Sequence, residues 1–212
     1  MKKKQENIFQ ILSQKPWESS QAVIDNNHDG KNFAETKENL GVKTIMVVST
    51  VIFSLFVVAY SDRMLVHDWR SMPEPVLLWI NTAILILNSY FFHTTTKAAE
   101  RNDYTKTKSG LYKVGFLAYL FLFGQLIVWY QFLQNGYFAT SNVAYAFFYL
   151  FTALHGLHLL GGLYFWGRST SKFLKNHHKN KKAKDQSISL CALYWHFLLI
   201  VWLVLFGLML FT

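Results

Sequence analysis

The sequence predicts an all-α integral membrane protein that forms a five-helix transmembrane bundle. Two long stretches without Asp, Glu, Lys or Arg carry this prediction, Val114 to Gly167 and Gln186 to Thr212. A helix of about 20 apolar residues crosses the hydrocarbon core of a bilayer, and no soluble domain of this size needs so much uninterrupted apolar sequence. Charged residues make up 16% of the chain, below the roughly 25% that is usual for soluble domains.

Read against the thickness of a bilayer, the chain divides into five spans. Hydroxyl side chains in the first span, among them Thr50, are expected to bond back to the helix backbone or across to a neighbour. Asn81 and Asn88 in the second are seven residues apart, so they share a helix face that should point toward other helices. The predicted spans are residues 43–61, 75–93, 113–133, 143–166 and 187–211.

The last three spans carry small and aromatic residues with distinct expected roles. Gly156, Gly161 and Gly162 in the fourth span should let a neighbouring helix approach closely. Tryptophan and tyrosine side chains near the span ends are typical of interfacial belts. The residues assigned to these belts are Trp129, Tyr130, Tyr137, Trp166 and Tyr194.

The formal net charge of +9 could suggest a nucleic-acid-binding protein, but the distribution of the charges excludes that class. If the five spans are correct, 19 of the 21 Lys and Arg residues lie on one side, and only Arg63 and Arg70 lie on the other. This asymmetry follows the positive-inside rule and predicts a cytoplasmic N-terminus and a C-terminus outside. The basic side is also expected to attract anionic lipid.

Residues 1–40 form a polar N-terminal tail, and residues 41–212 are expected to form the membrane domain. In the tail, Ile8, Ile11 and Leu12 recur at helical spacing, which is the pattern of a short helix lying at the membrane interface. The opening lysines are not followed by an apolar core with a small-residue cleavage site, so the tail does not have the pattern of a secretory signal.

No carboxylate lies within the predicted spans, and histidines are the candidates for chemistry that remain in them. This disfavours a small ion-coupled transporter. His155 and His158 are three residues apart on one helix, and His158 and His196 are expected at similar depth. Two such imidazoles could ligate a b-type haem, or they could hydrogen-bond each other, Tyr194 or a lipid phosphate. The spacing favours hydrogen bonding, because paired haem sites need more histidines in register.

Two motifs on the last two spans resemble a known family. The segment Tyr149 to Gly162, with His155-Gly156-Leu157-His158 and a Gly-Gly pair, resembles the HGLH…GG segment of haem-copper oxidase subunit III. Leu193 to Phe206, with Tyr194-Trp195-His196-Phe197 and Trp202, is similar to the YWHF…VW helix of that family. The resemblance covers about Leu40 to Thr212, and five spans match the shorter bacterial form of the subunit.

The resemblance implies the non-catalytic subunit of a respiratory oxidase that reduces oxygen to water and moves protons. It implies no haem, copper or other metal in this chain, because those cofactors belong to the partner catalytic subunit. The expected partners are oxidase subunits I and II and phospholipid bound in a cleft, and the expected location is the bacterial inner membrane. The motif residues would serve helix packing and the lipid cleft: His155, Gly156, His158, Gly162, Tyr194, Trp195, His196 and Trp202.

One position departs from the family pattern. The family usually carries a glutamate in the first of these spans, within a Ser-Glu pair, where this chain has Ser49-Thr50. The change removes the carboxylate often proposed to hydrogen-bond a histidine of the HGLH helix. Related complexes share the fold, so an accessory subunit of a quinol oxidase or of a nitric oxide reductase-like complex stays open as an alternative. An independent b-type membrane cytochrome is a further alternative.

Overall fold

The computed structural model describes residues 37–67, 69, 75–175 and 181–210. Across these residues the chain forms five α-helices and no strand. All five are long and apolar enough to cross a membrane, which confirms the predicted all-α bundle; the orientation of the termini stays a prediction. The short helix expected near Ile8 lies outside the described residues. The helices are α1 (Lys37–Met64), α2 (Val76–Glu100), α3 (Tyr104–Gln134), α4 (Val143–Lys175) and α5 (Lys181–Leu210).

The helices run past the predicted spans, most of all between α2 and α3. The second span was expected to end at residue 93 and the third to begin at 113, whereas α2 continues to Glu100 and α3 begins at Tyr104. Hydropathy detects only the apolar part of a helix. The backbone hydrogen bonds of the helix continue where its side chains become polar, so the end of α2 and the start of α3 lie beyond the predicted spans.

A tight turn joins α2 to α3. Asn102 has a φ of 60°, a left-handed conformation that asparagine tolerates better than most residues. Its N–H donates to the Ala99 carbonyl at 3.0 Å, and the N–H of Asp103 donates to the Ala98 carbonyl at 3.0 Å, which is the Schellman pattern that closes a helix. The Asp103 carboxylate then accepts the Lys106 N–H at 3.1 Å and caps the start of α3.

The bundle is built from antiparallel helix pairs. α2 packs against α3 and α5, and α4 packs against α5 and α3. The side-chain pairs Thr82 with Trp202 and Ser89 with His196 show that α2 and α5 run in opposite directions. Asn81 and Asn88 are both buried, which confirms that their shared face points to the other helices.

α1 meets the rest of the bundle through large aromatic side chains. Phe53 lies against the His158 ring of α4 with the ring centroids 5.4 Å apart, and Phe56 contacts Phe151 edge to face at 6.3 Å. Tyr60 contacts Phe151 as well, at 5.7 Å. Bulky rings hold two helix axes further apart than small residues do, so α1 lies against α4 without a close approach of the two backbones.

Glycines on α3 allow neighbouring helices to lie close to its backbone. A Cβ added at any of the three positions would overlap a side chain of another helix, so these sites require the smallest residue. The pairs are Gly110 with Thr95, Gly115 with Trp166, and Gly124 with Asn81.

Candidate functional site

His155 lies in the centre of the bundle. Its side chain is fully buried and is enclosed by two aromatic rings: Phe121 of α3 at a centroid distance of 6.1 Å and Trp202 of α5 at 5.1 Å. Both rings come from motif or core positions on neighbouring helices. The first histidine of the HGLH segment is therefore a core residue that fills the space between α3, α4 and α5.

His158, one turn further along α4, has different surroundings. Its Nδ1 lies 2.8 Å from the Leu154 carbonyl of its own helix, and because a carbonyl only accepts, Nδ1 is the protonated nitrogen. Its ring faces Phe53 of α1. The Tyr194 hydroxyl donates to the backbone carbonyl of His158 at 3.2 Å and does not bond its ring.

His196 occupies the boundary between α5 and α2. Its Nδ1 lies 2.5 Å from the Ser89 hydroxyl, and its side chain is half-buried. The rings of His158 and His196 thus lie against different helices, α1 and α2. The two imidazoles therefore do not face each other, although their spacing predicted a similar depth. His196 bonds Ser89, and His158 bonds the Leu154 carbonyl.

Trp202 and the Asn-Thr pair of α2 connect the second and fifth helices. The Trp202 indole N–H donates to the Thr82 hydroxyl at 2.9 Å, and that hydroxyl donates in turn to the Leu78 carbonyl at 2.8 Å. Beside it, the Asn81 amide nitrogen donates to the Gln125 side-chain oxygen of α3 at 3.4 Å. These polar pairs across buried helix faces fix the relative rotation of α2, α3 and α5.

The remaining motif residues divide into close and open positions. A Cβ at Gly162 would lie 3.2 Å from the Tyr194 ring and 3.4 Å from the Trp195 ring, so α5 does approach α4 closely there. Gly156 has nothing within 4 Å of the position of a Cβ, so none of the other described helices lies close to it. The sequence alone does not show which of these glycines faces another helix, because that depends on the side of α4 against which the neighbouring helix packs.

Two aromatic residues assigned to interfacial belts are structural links instead. Tyr194 is only 3% exposed and bonds α4. The Trp166 indole N–H donates to the Leu111 carbonyl of α3 at 3.0 Å, and Trp195 is buried against Phe92 at 5.8 Å. The Tyr194 hydroxyl and the Trp166 indole N–H find partners inside the protein, so nearness to a span end did not decide the place of these two residues.

Thr50, the residue expected at the position of the family glutamate, is exposed on α1. Its hydroxyl donates to the Met46 carbonyl of the same helix at 2.8 Å, as expected for a hydroxyl inside a membrane span. The adjacent Ser49 is the buried member of the pair. The hydrogen bond of the Thr50 side chain is therefore to its own helix and not to a histidine of α4.

The described residues bear on two further expectations, the absence of a metal in this chain and the set of residues singled out from the sequence. Among the described residues, no group of three or more His, Cys, Asp or Glu side chains is placed to hold a metal ion. The sequence reasoning missed Gln125 and Gly115. A glutamine within an apolar span is a detectable signal for an interior polar contact, whereas a lone glycine in a long span identifies no neighbour.

Comparisons with known proteins agree with the motif pattern. A family model described as cytochrome c oxidase subunit III matches residues 9–212. The chain is 27% identical over 191 residues to the cytochrome c oxidase subunit 3 of Thermostichus vulcanus, covering 88% of this chain and 91% of that protein. It is 30% identical over 177 residues to the protein of the same name from Synechocystis, covering 78% and 72%.

A more distant relative extends the range of organisms. The cytochrome c oxidase subunit 3 of Drosophila melanogaster is 26% identical over 132 residues, which cover 60% of this chain and 47% of that protein. Since the family model spans nearly the whole chain, and five apolar helices carry its motifs, the chain belongs to the cytochrome c oxidase subunit III family.

Proposed function

We propose that this chain is the non-catalytic subunit III of a respiratory haem-copper oxidase that transfers electrons to oxygen and couples this to proton translocation. The match of the subunit III family to residues 9–212 carries the proposal. The relatives are named for cytochrome c oxidase, which favours cytochrome c as the electron donor over quinol. For the same reason the nitric oxide reductase-like complex and the independent b-type cytochrome are not favoured.

The role of the chain within the complex is assembly, lipid binding and stability. The contacts of the motif residues support this role: His155 fills the core, and Tyr194 and Trp202 link helices through single hydrogen bonds. None of these contacts requires a redox group. Haem and copper would be held by the partner catalytic subunit, and subunits I and II would be the partners in a bacterial inner membrane, with the N-terminus in the cytoplasm.

Outward-facing surface is available for such partners and for lipid. Apolar side chains on α1, including Val47, Leu55 and Val58, are more than half exposed, as they must be in a helix that meets lipid or another subunit. Phospholipid in a cleft between helices is part of the same proposal.

Purification of the tagged chain from its native membrane in mild detergent tests the function. We expect a large multi-helix protein to co-purify, with haem and copper that follow the partner and are lost when a harsher detergent isolates this chain. The partner is identified by mass spectrometry and its cofactors by the optical spectrum and metal analysis. Haem that stays with the isolated chain would overturn the subunit assignment and make the histidines ligand candidates.

A further inference from the structure

The interior of the bundle contains polar side chains whose hydrogen-bonding capacity is not met by protein. His155 is 0% exposed and Asn88 is 1% exposed. Within the described part of the chain, neither ring nitrogen of His155 and neither amide atom of Asn88 has a hydrogen-bond partner. The same holds for the Asn81 oxygen and the Gln125 nitrogen. Between membrane-spanning helices such atoms cannot reach bulk water, so leaving them unpaired is costly.

These four residues, Asn81, Asn88, Gln125 and His155, are called the interior polar region below. They lie on α2, α3 and α4. Contacts are observed for three of them, Asn81, Gln125 and His155, and Asn88 lies on the same face of α2 as Asn81. Asn81 bonds Gln125, and the ring of Trp202 lies 5.1 Å from the His155 ring. The indole N–H of the same tryptophan reaches α2 at Thr82, the neighbour of Asn81.

We propose that the interior polar region binds ordered water, with one water molecule hydrogen-bonded to the imidazole of His155. A neutral imidazole presents one donor and one acceptor, and the Asn88 amide presents both kinds of group. Water offers both functions in the smallest volume, and a buried water molecule typically makes about three hydrogen bonds to polar groups that are otherwise unsatisfied. A lipid headgroup is too large to reach atoms with no accessible surface.

Among the described residues, neither ring nitrogen of His155 bonds a neighbouring side chain, and the aromatic rings around it offer no free polar atom. The rings in contact with it belong to Phe121 and Trp202. Phenylalanine has no polar atom, and the single donor of Trp202 is already used by Thr82. His158 differs in this respect, because its Nδ1 is satisfied by the Leu154 carbonyl. The proposal concerns the interior of this chain and holds whichever complex the chain joins.

Water-edited solid-state NMR of the full chain in phospholipid vesicles tests the proposal. With nitrogen-15 in histidine and leucine, polarisation is transferred from water protons and the build-up of each histidine ring signal and of the leucine amide signals is followed. We expect the His155 signal to build up as fast as that of exposed His93, and several-fold faster than the backbone amide of fully buried Leu198. Build-up no faster than that of the Leu198 amide would overturn the proposal.

The His155 signal is assigned with a variant or, if the variant does not fold, with selective labelling that leaves His155 in place. The His155 signal is identified by its loss in His155→Gln. If that variant does not fold, carbonyl-13C leucine combined with uniformly labelled histidine selects the backbone amides of the histidines that follow a leucine, which are His155 and His158. Transfer within each residue then identifies its ring signal. His158→Gln then removes the second signal and leaves that of His155 in a chain with an intact interior.

Discussion

Replacing Gly115 with alanine tests the packing of α3 against α4 most directly. A Cβ at this position would overlap three atoms of the Trp166 ring. The ring cannot turn aside freely, because its N–H donates to the Leu111 carbonyl at 3.0 Å. Overpacking of a helix interface costs about 1–3 kcal/mol, and loss of the hydrogen bond adds about 0.5–1.5 kcal/mol.

Alanine also has a favourable effect, because it is a better helix former than glycine by up to about 1 kcal/mol. We therefore expect Gly115→Ala to lower the free energy of unfolding by about 0.5–3.5 kcal/mol overall. Unfolding is followed by far-ultraviolet circular dichroism while the purified chain in mild detergent is titrated with dodecyl sulfate. Intrinsic fluorescence of the tryptophans gives a second record of the same transition.

Gly156→Ala is the matched control, since it makes the same chemical change in another membrane helix. Nothing lies within 4 Å of a Cβ at Gly156, so only the helix-propensity term acts, and we expect this variant to gain about 0.5–1 kcal/mol. The two substitutions should thus change stability in opposite directions. If Gly115→Ala proved as stable as Gly156→Ala or more so, the close contact between Gly115 and Trp166 would be refuted.

Three further predictions concern the chain surface and the α2–α3 turn. Thr50→Glu should leave assembly of the complex intact, because the Thr50 side chain is exposed and bonds only its own helix; loss of the assembled complex on native gels would refute the alignment of α1 with the family. His196→Leu removes the bond to Ser89 and should weaken co-purification of the partner without changing the optical spectrum, whereas a bleached haem band would contradict this. The backbone N–H of Lys106, and then its ammonium group, lower the pKa of Asp103 from 3.8. A carboxylate with a lowered pKa stabilises the folded chain above its unfolded pKa, and this stabilisation is lost as pH falls through the lowered value. In Lys106→Gln the NMR titration midpoint of Asp103 should rise only part of the way to 3.8, because the backbone donor stays; a full return would show that the ammonium group dominates.

The two histidines of the HGLH segment show where sequence reasoning reached its limit. Both were expected to be packing and hydrogen-bonding residues, and both lie in helix contacts. Their spacing placed them on one side of α4, but a difference of three residues is a rotation of about 60°, enough to direct His155 toward Phe121 and His158 toward Phe53. Which neighbour each meets depends on the order of helices around α4, and no local pattern encodes that order.

The surroundings of several glycine and aromatic residues also differ from what their positions in the sequence predicted. Gly156 was expected to be a close contact and is open, whereas Gly115 was not singled out and lies against Trp166. Tyr194 was placed in an interfacial belt and is instead buried with a bond to α4. A glycine permits a close helix contact and a tyrosine permits a hydrogen bond, but the position of the neighbouring helix decides whether either contact forms.

The sequence by itself determined the membrane class, the number of spans and the family motifs. The class and the number of spans follow from the free energy of placing apolar or charged residues in lipid, which is nearly independent of neighbouring helices. Tertiary structure decided which side chains meet across the helices, such as Trp202 with Thr82 and Asn81 with Gln125. Lipid supplies no hydrophobic force that selects one helix pairing over another, so packing and hydrogen bonds between particular residues make that choice.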